Sequence, residues 1–176
     1  MTDAADIDES GAAGESPRAY ALRLAGEKAD AVARRRAARA PELILGADTI
    51  VVRDDAVLGK PRGEAHAVEL LSSLVGRTHT VITAVAAVAS LAGDGARARR
   101  SIAIESIVTM RTASEDEIRA YVATGEPLDK AGAYALQGDG RRFVERVVGS
   151  ETNVIGLPIE ETLALLYELD AAEGPL

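Results

Sequence analysis

A chain of 176 residues with 47% hydrophobic content can bury one sizeable core, which points to a single α/β domain over residues 1–176. A formal net charge of −8 argues against a basic face for long nucleic acid, yet leaves room for a phosphate-bearing small molecule in a locally positive pocket. Without cysteine there is no disulfide or thiolate metal site, two histidines (His66 and His79) argue against a His-rich metal centre, and no run reaches the roughly 20 apolar residues of a membrane span, so a cytoplasmic protein is expected.

Residues 1–15 are small and acidic (Asp3, Asp6, Asp8, Glu9, Glu15) and read as a loop or loose arm. Ser16 is a good N-cap and Pro17 suits a first turn, so a helix is expected from there through Ala38. Leu22, Ala25, Ala29 and Val32 fall on its buried stripe, Lys28 on the shoulder, and Arg34, Arg35 and Arg36 toward solvent. Leu43 to Val52 is a near-continuous apolar run, which suits a strand buried on both faces. Asp48 inside it is costly to bury alone and needs a partner. Asp54-Asp55 reads as a turn, Ala56-Val57-Leu58 as a returning strand, and Gly59-Lys60-Pro61 as a cation between a flexible and a fixed residue. A helix over about Glu64 to Leu74 offers Ala67, Leu70, Leu71 and Leu74 to the core.

A long hairpin is expected next, from Thr78 to Ser90, turning at Ala92 to Gly95 and returning over Arg99 to Arg111. Ser114 to Glu117 forms a capping box for a further helix that ends at Gly125, where a left-handed cap is cheapest without a Cβ. Pro127 forbids its continuation. Asp129-Lys130, a bend at Gly132, a short apolar strand and Gln137 before Gly138 complete a stretch that presents polar side chains to a small ligand. Arg141 to Val147 alternates like a strand, Gly149 to Asn153 is a polar loop, and Pro158 opens a last helix carrying Leu163, Leu166 and Leu169.

Four segments, Gly46 to Val52 (GADTIVV), Leu58 to Pro61 (LGKP), Glu126 to Tyr134 with Gln137-Gly138, and Asn153 to Pro158 (NVIGLP), together resemble the Maf family. Its members are nucleoside triphosphate pyrophosphatases, also called septum formation inhibitor proteins. The resemblance runs from about Asp6 to the C-terminus, and four motifs in the right order make it specific. Gln137 and the loop from Gly149 to Pro158 are similar to the branch acting on dTTP and UTP, and the 7-methyl-GTP branch is matched less well. The implied fold is α/β, a central twisted mixed sheet flanked by helices with a cleft between two lobes. A homodimer is implied by the resemblance alone.

The implied reaction is attack of water on the phosphate chain, giving a nucleoside monophosphate and pyrophosphate. It needs neutralised phosphates, usually through a divalent cation such as Mg2+ or Mn2+, and an oriented water. The resemblance makes Asp48 the acidic centre, as metal ligand or as base for the water, and puts Glu9 near the metal. Lys28, Lys60 and Lys130 become phosphate cations, and Thr49 a phosphate or water contact, where a strand threonine that simply packs is the alternative. Asp129 and Lys130 equally suit a salt bridge that shapes their loop. Gln137, with one acceptor and two donors, suits the edge of a pyrimidine. His66 and His79 are read as structural.

Family members begin with a strand and a Ser-x-Ser-Pro-Arg-Arg type loop ahead of the segment matching Asp6 to Glu9, whereas only Met1 to Ala5 precede it here. Ser16-Pro17-Arg18 echoes that loop but falls in a different segment. Paired arginines grip phosphates in a way lysine does not reproduce, so a weakly active or inactive, less stable chain is expected. A nucleotide-binding regulator of cell division without catalysis, an inosine triphosphate pyrophosphatase type enzyme, and a non-enzymatic scaffold are the competing readings.

Overall fold

The computed structural model describes residues 3–36, 42–90 and 97–173. In chain order the elements are α1 (Pro17–Arg35), β1 (Glu42–Arg53), β2 (Ala56–Leu58), α2 (Glu64–Leu74), β3 (Thr78–Ser90), β4 (Arg97–Met110), α3 (Glu115–Val122), β5 (Val144–Val148), α4 (Glu151–Ile155) and α5 (Ile159–Glu173). The strands form one sheet in the order β2-β1-β3-β4-β5. β2 returns beside β1 with Val57 opposite Val52, and β5 beside β4 with Val147 opposite Val108, both antiparallel.

The inner pairs run antiparallel as well. Thr78, at the start of β3, meets Thr109, near the end of β4, Oγ1 to Oγ1 at 3.2 Å. Val52 and Arg53, at the end of β1, line one recess with Thr78 and His79. The sheet is therefore antiparallel where a mixed one was expected. A helical crossover normally brings parallel strands side by side. Here α2 joins β2 to β3, which run the same way but flank β1 instead of pairing.

The chain divides into two compact units, and β1, β3 and β4 each contribute a segment to both. The first comprises the described residues of Met1–Asp48, Thr83–Ile104 and Leu157–Leu176. Val85, Ala87, Ala89, Ala98, Leu165 and Leu169 form a core cluster in it. Ser16 caps α1, its hydroxyl accepting from the Ala19 amide at 3.3 Å. The stripe that α1 buries is Ala21, Leu24, Ala25, Gly26, Ala29 and Ala33, rotated away from the expected Leu22 and Val32, which stay half-buried. Gly46 accounts for the rotation. A Cβ there would lie 2.3 Å from the Ala25 carbonyl oxygen and 2.7 Å from the Ala29 amide nitrogen, so α1 lays its alanine face directly on β1. In the first half of β1, Leu43 (41% exposed) and Leu45 (43%) alternate with buried Ile44 and Gly46, so burial on both faces does not hold there. In α5 the core positions are Leu165 and Leu169, with Leu166 packed at their edge, whereas the expected Leu163 is 50% exposed.

The acidic N-terminal segment is tied down instead of loose. Arg23 grips Glu15 at 2.8 Å and the Ser10 carbonyl at 2.9 Å, and the Tyr20 hydroxyl donates to the Glu9 carbonyl at 2.6 Å. The expected helix end at Ala38 and the turn at Ala92 to Gly95 lie outside the described residues.

The second unit comprises Thr49–Ile82 and Glu105–Gly156. Its core gathers Val51, Leu70, Leu71, Leu74, Val81, Val108, Met110, Ile118, Tyr121 and Phe143 among others. α2 buries Ala67, Leu70, Leu71 and Leu74 as its spacing predicts, and both halves of the Ser114–Glu117 capping box are formed. Asp54 and Asp55 make the turn with φ of 50° and 63°. Two expectations change. Asp139–Phe143 is a 3-10 turn, because adjacent Phe143 and Val144 are both buried and break a strand's alternation. From Glu151 the expected loop is instead the start of α4, capped by the Ser150 hydroxyl, which accepts from the Asn153 amide at 3.1 Å.

Candidate active site

The Gly46 contact that seats α1 on β1 also sets the charges beside it. Lys28 precedes Ala29 on the helix and Asp48 follows Gly46 on the strand, so the same approach brings their side chains together. Lys28 Nζ donates to Asp48 Oδ1 at 2.6 Å and reaches Glu9 Oε1 at 2.9 Å. Burial pulls the Lys28 ammonium down, but hydrogen bonds to Asp48 and then Glu9 carry it above the ordinary lysine value. Asp48 is only 9% exposed, and its second oxygen, Oδ2, is buried with no hydrogen-bond partner among the described residues. Native structures rarely leave a buried carboxylate oxygen unpaired, so each one needs a reason; Glu42 Oε2 and Glu161 Oε2 are in the same position. The arrangement is a neutralised oxygen and a buried, unpartnered one on the same carboxylate.

Whether this set suits a metal turns on donor number. No group of three or more His, Cys, Asp or Glu that could hold an ion occurs among the described residues. A dedicated protein cage of the calcium or zinc kind is therefore not what these residues form. Two carboxylates, Asp48 with its open oxygen and the half-exposed Glu9, do fit a Mg2+-type ion, which commonly takes one or two carboxylates and completes its shell with substrate phosphates and water.

The second unit holds Thr49, Lys60, Lys130 and Gln137. The Gly132 amide donates to the Gly59 carbonyl at 3.1 Å, which staples the Lys60 loop to the Lys130 loop. Lys130 Nζ bonds Asp129 Oδ1 at 2.7 Å, the salt bridge the sequence allowed. That bond holds the Asp129 carboxyl below the usual carboxylate range, with the charge of Lys60 adding to it. Gly132 itself (φ 67°) leaves no room for a Cβ, which would lie 3.0 Å from the Val51 side chain. Thr49 is half-buried, and Gly156 (φ 122°) lets the Asn153–Pro158 segment approach it, a Cβ there falling 3.3 Å from Thr49 Oγ1. Gln137 is exposed at the tip of its loop.

That loop is not the expected strand. It is built of 3-10 turns at Glu126–Asp129 and Ala131–Ala133, with Ala133 also at positive φ (59°). What shapes it is a residue the sequence reading left without a role. Glu126 Oε1 accepts from the Tyr121 hydroxyl at 2.9 Å and the Gly140 amide at 3.0 Å, and Oε2 from the Asp139 amide at 3.0 Å. Its signal was an acid placed directly between a left-handed Gly125 and Pro127. Asn153, also without an assigned role, is fully buried and donates to the Val81 carbonyl at 3.1 Å and Ser106 Oγ at 2.9 Å, anchoring α4 to the sheet. Both histidines have protein partners: His66 Nδ1 accepts from the Arg62 amide at 3.1 Å, and buried His79 Nε2 pairs with the Tyr134 hydroxyl at 2.7 Å.

Comparison with known proteins gives the family. The sequence model of the family described as Maf-like protein matches residues 1–169. A dTTP/UTP pyrophosphatase of Shewanella denitrificans is 50% identical over 162 residues, covering 92% of this chain and 78% of the relative. Proteins of the same name from Anaeromyxobacter dehalogenans and Myxococcus xanthus are each 48% identical, over 92% and 93% of this chain and 79% and 78% of their own length. With the motif residues in place and the match spanning nearly its whole length, the chain belongs to the Maf family.

Proposed function

We propose that this chain hydrolyses dTTP and UTP to the nucleoside monophosphate and pyrophosphate, the activity carried in the names of its relatives. The observation that carries the reading is the divided carboxylate of Asp48, whose Oδ1 is held by Lys28 while Oδ2 is buried and unpartnered. An acceptor oxygen kept clear of protein donors is what a general base needs. Asp48 Oδ2 takes a proton from water as the water oxygen bonds to phosphorus. The α–β bridging P–O bond breaks, and its electron pair leaves on one of the two phosphate products. Lys28 fixes the rotamer of the base and offsets its charge.

Where Asp48 Oδ2 ligates instead of taking the proton, Asp48 and Glu9 are the residues that would hold a divalent cation, Mg2+ or Mn2+, whose chemistry is to neutralise phosphate charge in the transition state. Lys60 and Lys130 supply fixed positive charge to the phosphates, Thr49 a hydroxyl, and Gln137 the donor–acceptor edge for the pyrimidine. Pyrophosphate release and nucleotide binding measured side by side with dTTP, UTP and ITP test the reading. Turnover of dTTP and UTP ahead of ITP is expected. Tight binding without release would leave a non-catalytic nucleotide binder, a preference for ITP would move the chain to the deaminated-purine class, and neither binding nor turnover would sink the proposal.

A further inference from the structure

We propose that Glu126 is a positioning residue for nucleobase selection: its carboxylate sets the turn at Gln137-Gly138-Asp139 and, through that turn, the aim of the Gln137 amide. The inference rests on the reading of Gln137 as a nucleobase contact.

The segment from Ala131 to Phe143 contains no strand, so its backbone lacks ladder hydrogen bonds, and its amides need other acceptors. Glu126 supplies two of them. Its two oxygens accept from the consecutive amides of Asp139 and Gly140, each at 3.0 Å, immediately beyond the Gln137 tip. On the other side of the tip the Ala135 amide donates to the Tyr121 hydroxyl at 3.3 Å, and that hydroxyl donates in turn to Glu126 Oε1 at 2.9 Å. One carboxylate therefore clamps the chain both before and after Gln137.

The glycines show how closely the parts fit. Gly138 has φ of 96°, and a Cβ on it would lie 2.6 Å from Glu126 Oε2. A Cβ on Gly140 would meet the Ala135 carbonyl at 2.5 Å and the Tyr121 hydroxyl at 2.6 Å. Three donors converge on Glu126, so only an acceptor-only group satisfies them all; a primary amide would turn its own N–H groups toward at least one. Burial raises the Glu126 carboxyl, but the Asp139 and Gly140 amides and the Tyr121 hydroxyl bring it below the ordinary glutamate value, which fits a charged acceptor. Gln137 itself stays exposed, so its direction is inherited from a backbone that Glu126 holds.

The test is the ratio of kcat/KM for dTTP to that for ITP, measured in the parent chain, Glu126→Gln, Gln137→Ala and the double variant. Glu126→Gln should lower the ratio by the same factor as Gln137→Ala, about tenfold for the loss of one neutral hydrogen bond. The loss should appear mainly in KM, and the double variant should lose no more than either single one. Gly138→Ala crowds the same carboxylate while keeping its charge, should lower the ratio likewise, and carries the test if Glu126→Gln does not fold. An unchanged ratio in Gln137→Ala overturns the Gln137 reading and this inference with it. A ratio lowered by Gln137→Ala but kept by Glu126→Gln and by Gly138→Ala, with only thermal stability reduced, overturns the Glu126 inference and leaves Gln137 in place.

Discussion

The Glu9–Lys28–Asp48 group of the first unit and the Glu126–Gly140 loop of the second are both organised by a carboxylate, yet they use it in opposite ways. Asp48 spends one oxygen on a lysine and leaves the other open, so its surroundings set charge. Glu126 engages both oxygens with backbone amides and a tyrosine hydroxyl, so it sets shape. Burial follows the same division. Asp48 is almost wholly enclosed beside the α1 backbone, whereas the side chains that the second loop presents, Asp129 and Gln137, are exposed. In this reading the carboxylate with an unpartnered oxygen is a reagent, and the one with both oxygens bonded is scaffolding. Changes in the first group should therefore act on kcat, and changes in the second on KM and base preference.

The largest expected effect breaks or keeps that contrast at once. Asp48→Asn retains an oxygen for Lys28 and the side-chain volume, so the fold should survive while kcat for dTTP falls by about 10²–10⁴-fold, the usual worth of a general base. Pyrophosphate release under saturating nucleotide measures it, and a kcat within a few-fold of the parent would remove Asp48 from the chemistry.

Acid should separate the units next. Burial pushes His79 down to about 4 from an ordinary 6.5. The unfolded chain takes up that proton before the folded one does, so the stability tied to neutral His79 is complete above pH 6.5 and is lost as pH falls from 6.5 toward 4. The loss amounts to about 3 kcal/mol across that window. Urea unfolding at neutral pH and near the lower end of the window should show the loss in the parent chain and a smaller one in His79→Gln. Equal losses would mean that His79 is not what makes the second unit acid-sensitive.

A smaller effect sharpens the first group. Lys28→Met keeps the aliphatic stem but removes donors to charged partners, which should cost about 1.5–3 kcal/mol in denaturant stability. It should lower kcat as well, because nothing then fixes the Asp48 rotamer, and leave the ratio between dTTP and ITP unchanged. A shift in that ratio would show that Lys28 helps to select the base and would blur the division between the two groups.

The parts legible in the sequence are those set by near neighbours along the chain. α2 appears over Glu64–Leu74 with its four predicted core residues, because helical spacing there meets one apolar face. The Ser114 capping box, the Asp54-Asp55 turn and the left-handed Gly125 follow from residues a few positions apart. The requirement that Asp48 have a partner was equally plain, since an acid in an apolar strand cannot be buried alone. Other features escaped. The α1 stripe was misplaced because Gly46, on another element, decides which face of the helix can approach. Leu163 was given to the core because its spacing fits, but the face that α5 buries runs through Leu165 and Leu169. Glu126 went unassigned because its partners lie 13 and 14 residues further on.

The amino-acid order by itself determined the family and most of the element types, and it supplied the acids, cations and amide proposed for the candidate site, because motif residues, periodicity and capping act over a few positions. The tertiary structure alone decided that Lys28 is the partner of Asp48 and also reaches Glu9, that one Asp48 oxygen is left unpartnered, and that Glu126 closes the loop behind Gln137. Those outcomes depend on which segments approach closely enough to exclude water and a Cβ, and that distance of approach is a property of the packed chain.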